Sequence, residues 1–244
     1  MKKITINNGH NIYEIDVNRY QDALNWAKET AYAKTEHTVD TWQERGKCKR
    51  FTNLFLGDLA KNLFKLWMIK MRPMIESYLI EYDQIRTDNF YNSDEFDLKL
   101  ECNQRVCSIE VKSSGEKYTK DTNALYNNRR IIINIESPHS HLDCVYTQIL
   151  FVPSHLEFFE NKNIDCDEYD NFVDRYFALF KEQNIKAYIV GYANKNMQAI
   201  ALGRDTFCVE NTKANAKSRT YANLLVKDAK SPDEFIKVLD EFCL

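Results

Sequence analysis

A chain of 244 residues is long enough to bury a substantial core in one generous domain. Hydrophobic residues at 44%, with only six Gly, four Pro and no low-complexity tract, are those of a globular rather than a disordered protein. The formal charge of -3 provides no global attraction to nucleic acid, so any such contact must rest on local basic patches against an acidic background.

The seven cysteines are an odd number without a CxxC pair, which reads as reduced thiols in a cytosolic protein. Cys102 and Cys107 flank one turn, but the compartment favours thiols over a disulfide there. The amino terminus, MKKITINNGHNIYEID, lacks the apolar stretch of a signal peptide. No run approaches the roughly 18 apolar residues of a membrane span, so a cytoplasmic location without membrane contact is expected.

Residues 4 to 15 alternate weakly, as in a short edge strand, and Tyr20, Leu24, Ala27 and Ala31 then recur at helical spacing. Residues 1–50 are expected to form an accessory segment. From Thr38 to Lys70 the pattern is helical, with Leu54, Leu59, Leu63, Leu66 and Trp67 on the apolar stripe and Pro73 as the stop. Tyr78 to Ile85 reads as a strand. Ser93 to Ser114 reads as two alternating strands joined by a polar turn, and a short helix is predicted at Thr119 to Asn128.

Buried strands are predicted at Arg129 to Ile135 and Cys144 to Val152. A helix follows on Tyr169, Phe172, Val173, Tyr176, Phe177 and Phe180, then strands at Ala187 to Tyr192 and Met197 to Leu202. Ser231-Pro232-Asp233-Glu234 opens the last helix with an N-cap, a Pro at the first position and acids in the first turn. This order indicates an α/β or α+β core with a mixed sheet. Residues 51–155 form the expected core, and residues 156–244 are assigned to the same domain.

Chemistry concentrates in the hairpin. Side chains alternate across a strand, so Glu110 and Lys112 share one face while Ile109 and Val111 share the other, and antiparallel pairing brings Asp97 beside them. Phosphodiester hydrolysis needs a divalent cation, and Mg²⁺ takes hard oxygen ligands from one or two carboxylates plus water, with Mn²⁺ as a substitute. Asp97 and Glu110 supply such carboxylates, and the carbonyl of Val111 is a third candidate ligand. Two carboxylates keep the Lys112 ammonium protonated, which suits it to stabilising transition-state charge rather than acting as a free base. Ser113-Ser114-Gly115 lets backbone approach a phosphate. The alternative is a solvated hairpin face held by cross-strand charge pairs worth about 0.5 kcal/mol.

An acid, twelve residues, then Glu-x-Lys in a hairpin preceded by a helix resembles the PD-(D/E)XK nuclease superfamily, whose fold is restriction-endonuclease-like. The matching residues are Asp97, Glu110 and Lys112, over roughly residues 50 to 155. The stretches YDQIRTDNF and DEFDLKL…IEVKSS are similar to the restriction-type members. Phe96 stands where the motif has Pro. The superfamily often adds an acid from the preceding helix, and Gly57-Asp58 makes Asp58 the candidate for a second metal or a metal-bound water. Asp94 and Glu95 rank below Asp97 because they precede the settled alternation.

The resemblance implies a Mg²⁺-dependent DNA endonuclease, best read as a type II restriction enzyme acting on double-stranded DNA as a homodimer. A structure-specific repair or recombination nuclease and a catalytically silent DNA-binding module are the alternatives. Candidate phosphate contacts are Lys49 and Arg50 beside Arg45 and Lys47, then Lys117, Arg129 and Arg130 with Lys120 after the hairpin, and Lys213, Lys217 and Arg219 in the Asn/Ala-rich stretch. Residues 1–50 and 155–244 are the expected seat of sequence recognition. His139, His141, Asp143 and Cys144 include zinc-ligand types, but Pro138 and Ser140 favour a polar turn. No GxSxG, Walker loop or dinucleotide fingerprint is present.

Overall fold

A computed structural model describes residues 1–6, 8–37, 46–90, 94, 96–116, 121–134, 144–152, 169–202, 206–209 and 219–243. In chain order the strands and helices are β1 (Lys2–Thr5), β2 (Asn11–Asp16), α1 (Gln21–His37), α2 (Lys47–Met71), β3 (Leu79–Glu81), α3 (Tyr82–Ile85), β4 (Leu98–Cys102) and β5 (Arg105–Gly115). They continue with α4 (Thr122–Asn128), β6 (Arg130–Asn134), β7 (Cys144–Val152), α5 (Tyr169–Glu182), β8 (Lys186–Ala193), α6 (Lys195–Leu202), β9 (Thr206–Val209), β10 (Arg219–Leu225) and α7 (Pro232–Cys243).

The chain is mixed α/β. A central seven-stranded sheet in the order β1-β2-β8-β7-β5-β4-β3 is flanked by helices, and a three-stranded sheet runs β6-β10-β9. In the central sheet β5 and β7 are parallel, while the other neighbouring pairs are antiparallel. A parallel pair needs a crossover, and α4 and β6 lie in the connection between these two strands.

Alternation decides which side of the sheet each cluster covers. Tyr13, Ile15, Leu98, Leu100, Ile109, Val111, Val145, Ile149 and Ile189 pack with α1, α2, α5 and α7 in the largest core cluster. The aromatic residues of α5 interlock with α2 there, with the Phe55 and Phe180 ring centroids 4.9 Å apart. Each such pair adds about 1 kcal/mol beyond its buried area.

The opposite face is covered by two separate clusters. Leu125 and Tyr126 of α4 pack on Leu150, Val152, Tyr188 and Val190. Ile131, Ile133, Ala222 and Leu224 of the small sheet, with Ala201 of α6, pack on Cys144, Tyr146 and Ala193. Along β7 the seam between them falls at Gln148, because Tyr146 belongs to one cluster and Leu150 to the other.

Several expectations change. The front segment is not merely accessory, since β2 pairs with β8 inside the central sheet and Ile12 and Ile15 are fully buried. The strand expected at Tyr78 to Ile85 stops at Glu81, where the chain turns into α3 and Asp83 enters a buried ion-pair network. Met197 to Leu202 is helical rather than extended. Asn194 starts that helix by accepting the Met197 N–H at 3.2 Å, and the i, i+4 pair Met197 and Ala201 packs into the core. Strands β9 and β10 lie in a region whose polar composition concealed them.

The final helix begins as expected. The Glu234 carboxylate accepts the Ser231 N–H at 3.1 Å, while the Ser231 hydroxyl accepts the Asn11 N–H at 3.1 Å and thereby ties the helix to β2. Among the described residues, no helix is long and apolar enough to cross a membrane. Cys102 and Cys107 are free thiols.

Candidate active site

The hairpin of β4 and β5 turns at Asn103 and Gln104, both with positive φ (50° and 65°), the signature of a two-residue type I′ turn. The ladder runs from Cys102↔Arg105 to Leu98↔Ile109. One step further, Asp97 stands opposite Glu110, where β4 has left the sheet. There the Asp97 carboxylate accepts the Val111 N–H at 2.8 Å, in place of a neighbouring backbone carbonyl. The carbonyl of Val111 emerges on the same side of its strand as that N–H, toward Asp97.

Glu110 accepts from the Lys112 ammonium at 2.8 Å, and the two side chains are 14% and 30% exposed, enough for solvent to reach them. Burial and the neighbouring Glu110 carboxylate push the Asp97 carboxyl above its usual range, against the pull of Lys112, Lys61 and the Val111 amide. Burial alone would lower the Lys112 ammonium, but Glu110 and Asp97 outweigh it and hold the group above the ordinary lysine range. Lys112 is therefore a cation at neutral pH.

The donor set suits a hard divalent ion. Among the described residues no three His, Cys, Asp or Glu side chains converge on one point. Asp97 and Glu110 are the two carboxylates on this face that could act as ligands, and Mg²⁺ can be held by one or two carboxylates when water and a substrate phosphate complete its shell. Soft ligands are absent from this pair.

Asp58 belongs to a second constellation. One oxygen of its carboxylate pairs with Lys34 of α1 at 2.6 Å and Lys61 of α2 at 3.6 Å, while the other is buried without a hydrogen-bond partner among the described residues. Lys34 also bonds Asp83 at 2.8 Å, Lys61 contacts Asp83 and Glu81, and Lys65 pairs with Glu81 at 2.9 Å. Burial, opposed by Lys34 and Lys61, pushes the Asp58 carboxyl up to about 6. Burial would raise Asp83 too, but the same two ammonium groups hold it below the usual carboxylate range. Two ammonium groups thus neutralise Asp58. Lys61 links the network to the hairpin, because its charge also reaches Asp97.

Asp94 is exposed and pairs with Arg86 at 2.5 Å, whereas Glu95 lies outside the described residues. The candidate phosphate contacts do not form one patch. Lys49 and Arg50 sit on the first turn of α2, in the layer covering the face opposite Glu110 and Lys112. Arg129 ends α4 and pairs with Glu116 at 2.5 Å, and the exposed Arg130 opens β6. Both lie on the Glu110 side of the sheet. Arg219 opens β10. Arg45, Lys117, Lys120, Lys213 and Lys217 lie outside the described residues, as do His139, His141 and Asp143. Lys47 is engaged by Glu36 at 2.6 Å and the ring of Tyr169.

Reading the chain linearly missed Lys34, Lys61, Glu81, Asp83 and Gln148. Only Gln148 carried a local signal, as the lone amide within the apolar run CVYTQILFV. Comparison with family models, with curated proteins and with solved structures finds no match to this chain.

Proposed function

We propose that the chain is a divalent-cation-dependent DNA endonuclease of the PD-(D/E)XK type, acting as a type II restriction enzyme on double-stranded DNA. The observation that carries this reading is the arrangement of Asp97, Glu110 and Lys112 around the Val111 N–H, which donates to Asp97 just beyond the end of the β4-β5 ladder. Supporting it is the order in which α2 precedes antiparallel β3-β4-β5, interrupted by the short α3, and α4 follows before β7 pairs parallel with β5, with β6 between them in the second sheet, since the resemblance implies a hairpin followed by a helix and a further strand.

Asp97, Glu110 and the Val111 carbonyl would hold Mg²⁺, or Mn²⁺ in its place, and the ion when bound supplies Lewis acidity at the scissile phosphate. Asp97 is oriented for this by the Val111 amide, and Glu110 by Lys112. The Lys112 ammonium donates to a phosphate oxygen as negative charge builds, a contribution of the order of 3 kcal/mol for one well-oriented donor. A water oxygen forms the new bond to phosphorus and the bond to one sugar oxygen breaks. The water proton passes to solvent and the leaving oxygen is protonated from solvent. Asp58 keeps α1, α2 and the turn after β3 in register through Lys34 and Lys61, and so supports the hairpin from behind.

The test is incubation of plasmid and phage DNA, methylated and unmethylated, with and without Mg²⁺, using the parent and Lys112→Ala. Discrete fragments from the parent alone are expected, with a dimeric mass in light scattering. Equal DNA binding by both proteins with no cutting by either would leave a DNA-binding module instead. Cutting restricted to branched or damaged substrates would favour a repair nuclease.

A further inference from the structure

Gln148 is 1% exposed and lies in β7 directly across the parallel ladder from Lys112. Partners in a parallel ladder point to the same face, so Gln148 shares the face of Glu110, Lys112 and Ser114. Its amide nitrogen donates to the Ser114 hydroxyl at 3.2 Å, and its carbonyl oxygen is buried without a hydrogen-bond partner among the described residues. Turning the amide over does not remove the vacancy, because the serine hydroxyl then donates to the oxygen and the amide nitrogen is left unpaired. A buried amide atom without a partner costs about 1–3 kcal/mol. An isosteric apolar side chain at this position would avoid that cost. Gln148 also sits at the seam between the two clusters covering this face, since Tyr146 belongs to one and Leu150 to the other.

We propose that Gln148 is a positioning residue of the hydrolytic site, and that its side-chain carbonyl accepts a hydrogen bond from the attacking water beside Lys112. The inference rests on the nuclease reading and adds a residue from a second strand to it. Ser114 fixes the amide so that the carbonyl is the free end, and the carbonyl orients the water without removing its proton. The bond between water oxygen and phosphorus forms, the bond from phosphorus to the sugar oxygen breaks, and both proton transfers are with solvent. Gln148 is unchanged by the turnover.

The test compares the parent with Gln148→Met, which keeps the volume and removes both polar atoms, and with Gln148→Glu, which keeps an acceptor at the same reach. Steady-state cleavage of plasmid DNA in Mg²⁺ and thermal melting are measured on all three. For Gln148→Met, kcat is expected to fall about 100-fold with KM within about twofold of the parent and the melting temperature unchanged or raised. Gln148→Glu is expected to retain more kcat than Gln148→Met. A kcat for Gln148→Met within twofold of the parent overturns the proposal. So does a drop in its melting temperature, which would make the amide a structural group, and so does a Gln148→Glu variant no better than Gln148→Met. A parent that does not cut removes the nuclease reading itself, and is recognised before any variant is compared.

Discussion

Lys34 and Asp58 form an ion pair of 2.6 Å in which neither side chain is more than 7% exposed, and Lys34 bonds Asp83 at the same time. One ammonium from α1 therefore balances carboxylates from α2 and from the turn after β3. Lys34→Met leaves those charges buried with Lys61 as their main counter-ion. A loss of about 3–5 kcal/mol in unfolding free energy is expected from chemical denaturation. A loss below 1 kcal/mol would mean that water reaches the network.

The Asp58 carboxyl, raised to about 6 by burial against the pull of Lys34 and Lys61 and with the push of Asp83, makes stability depend on pH in a definite direction. An acid with a raised pKa binds its proton more tightly in the folded state, so its contribution is fully present below its unfolded value and is lost as pH rises through about 6. Asp58→Asn lacks this titration. Between pH 7 and pH 5 the stability difference between parent and variant should move in the parent's favour by about 1 kcal/mol, read from melts at both pH values. A difference that stays constant would refute the assignment.

Asp97→Asn keeps an acceptor for the Val111 N–H but removes one of two adjacent carboxylates. Under the proposed function, cleavage falls by about 1000-fold or more, since a ligand of the cation is lost. The melting temperature should equal or exceed the parent's, because repulsion with Glu110 disappears. A variant that melts earlier would assign Asp97 to the fold.

Removing the Lys112 ammonium takes away the cation that occupies one Glu110 oxygen. Lys112→Ala should therefore bind Mn²⁺ about fivefold more tightly in the absence of DNA while losing cleavage, the size expected of one partly exposed ion pair. Calorimetric titration measures it, and weaker binding would show that Lys112 helps to hold the ion site together.

Gly191 is constrained by close approach rather than by its dihedrals. A Cβ there would lie 2.8 Å from the Lys230 carbonyl, which accepts the Tyr192 N–H at 3.0 Å. Gly191→Ala should cost about 1–3 kcal/mol by prising this bridge apart, visible as a lower melting temperature with the proposed site intact.

Local pattern was enough for much of this molecule. Alternation in SDEFDLKLECNQRVCSIEVKSS assigns the hairpin, its faces and the opposition of Asp97 to Glu110, because side-chain direction in a strand is set by a period of two residues. The apolar run of β7 and the N-cap of α7 are equally local. Tertiary structure decided the rest. The chain bends after Glu81 where Asp83 joins lysines from two helices, and nothing within YLIEYDQI announces partners that are 49 and 22 residues away. Asp58 reads as a possible site acid in sequence, yet folding surrounds it with Lys34 and Lys61. Gln148 gains its meaning only from parallel pairing with β5, a contact across a crossover of more than one element. Sequence by itself therefore determined the hairpin, the buried strand β7 and the candidate Asp-Glu-Lys set. Which charges are neutralised in the interior, and which polar atom is left unpaired beside Lys112, depended on long-range contacts that bring different elements within a few ångströms.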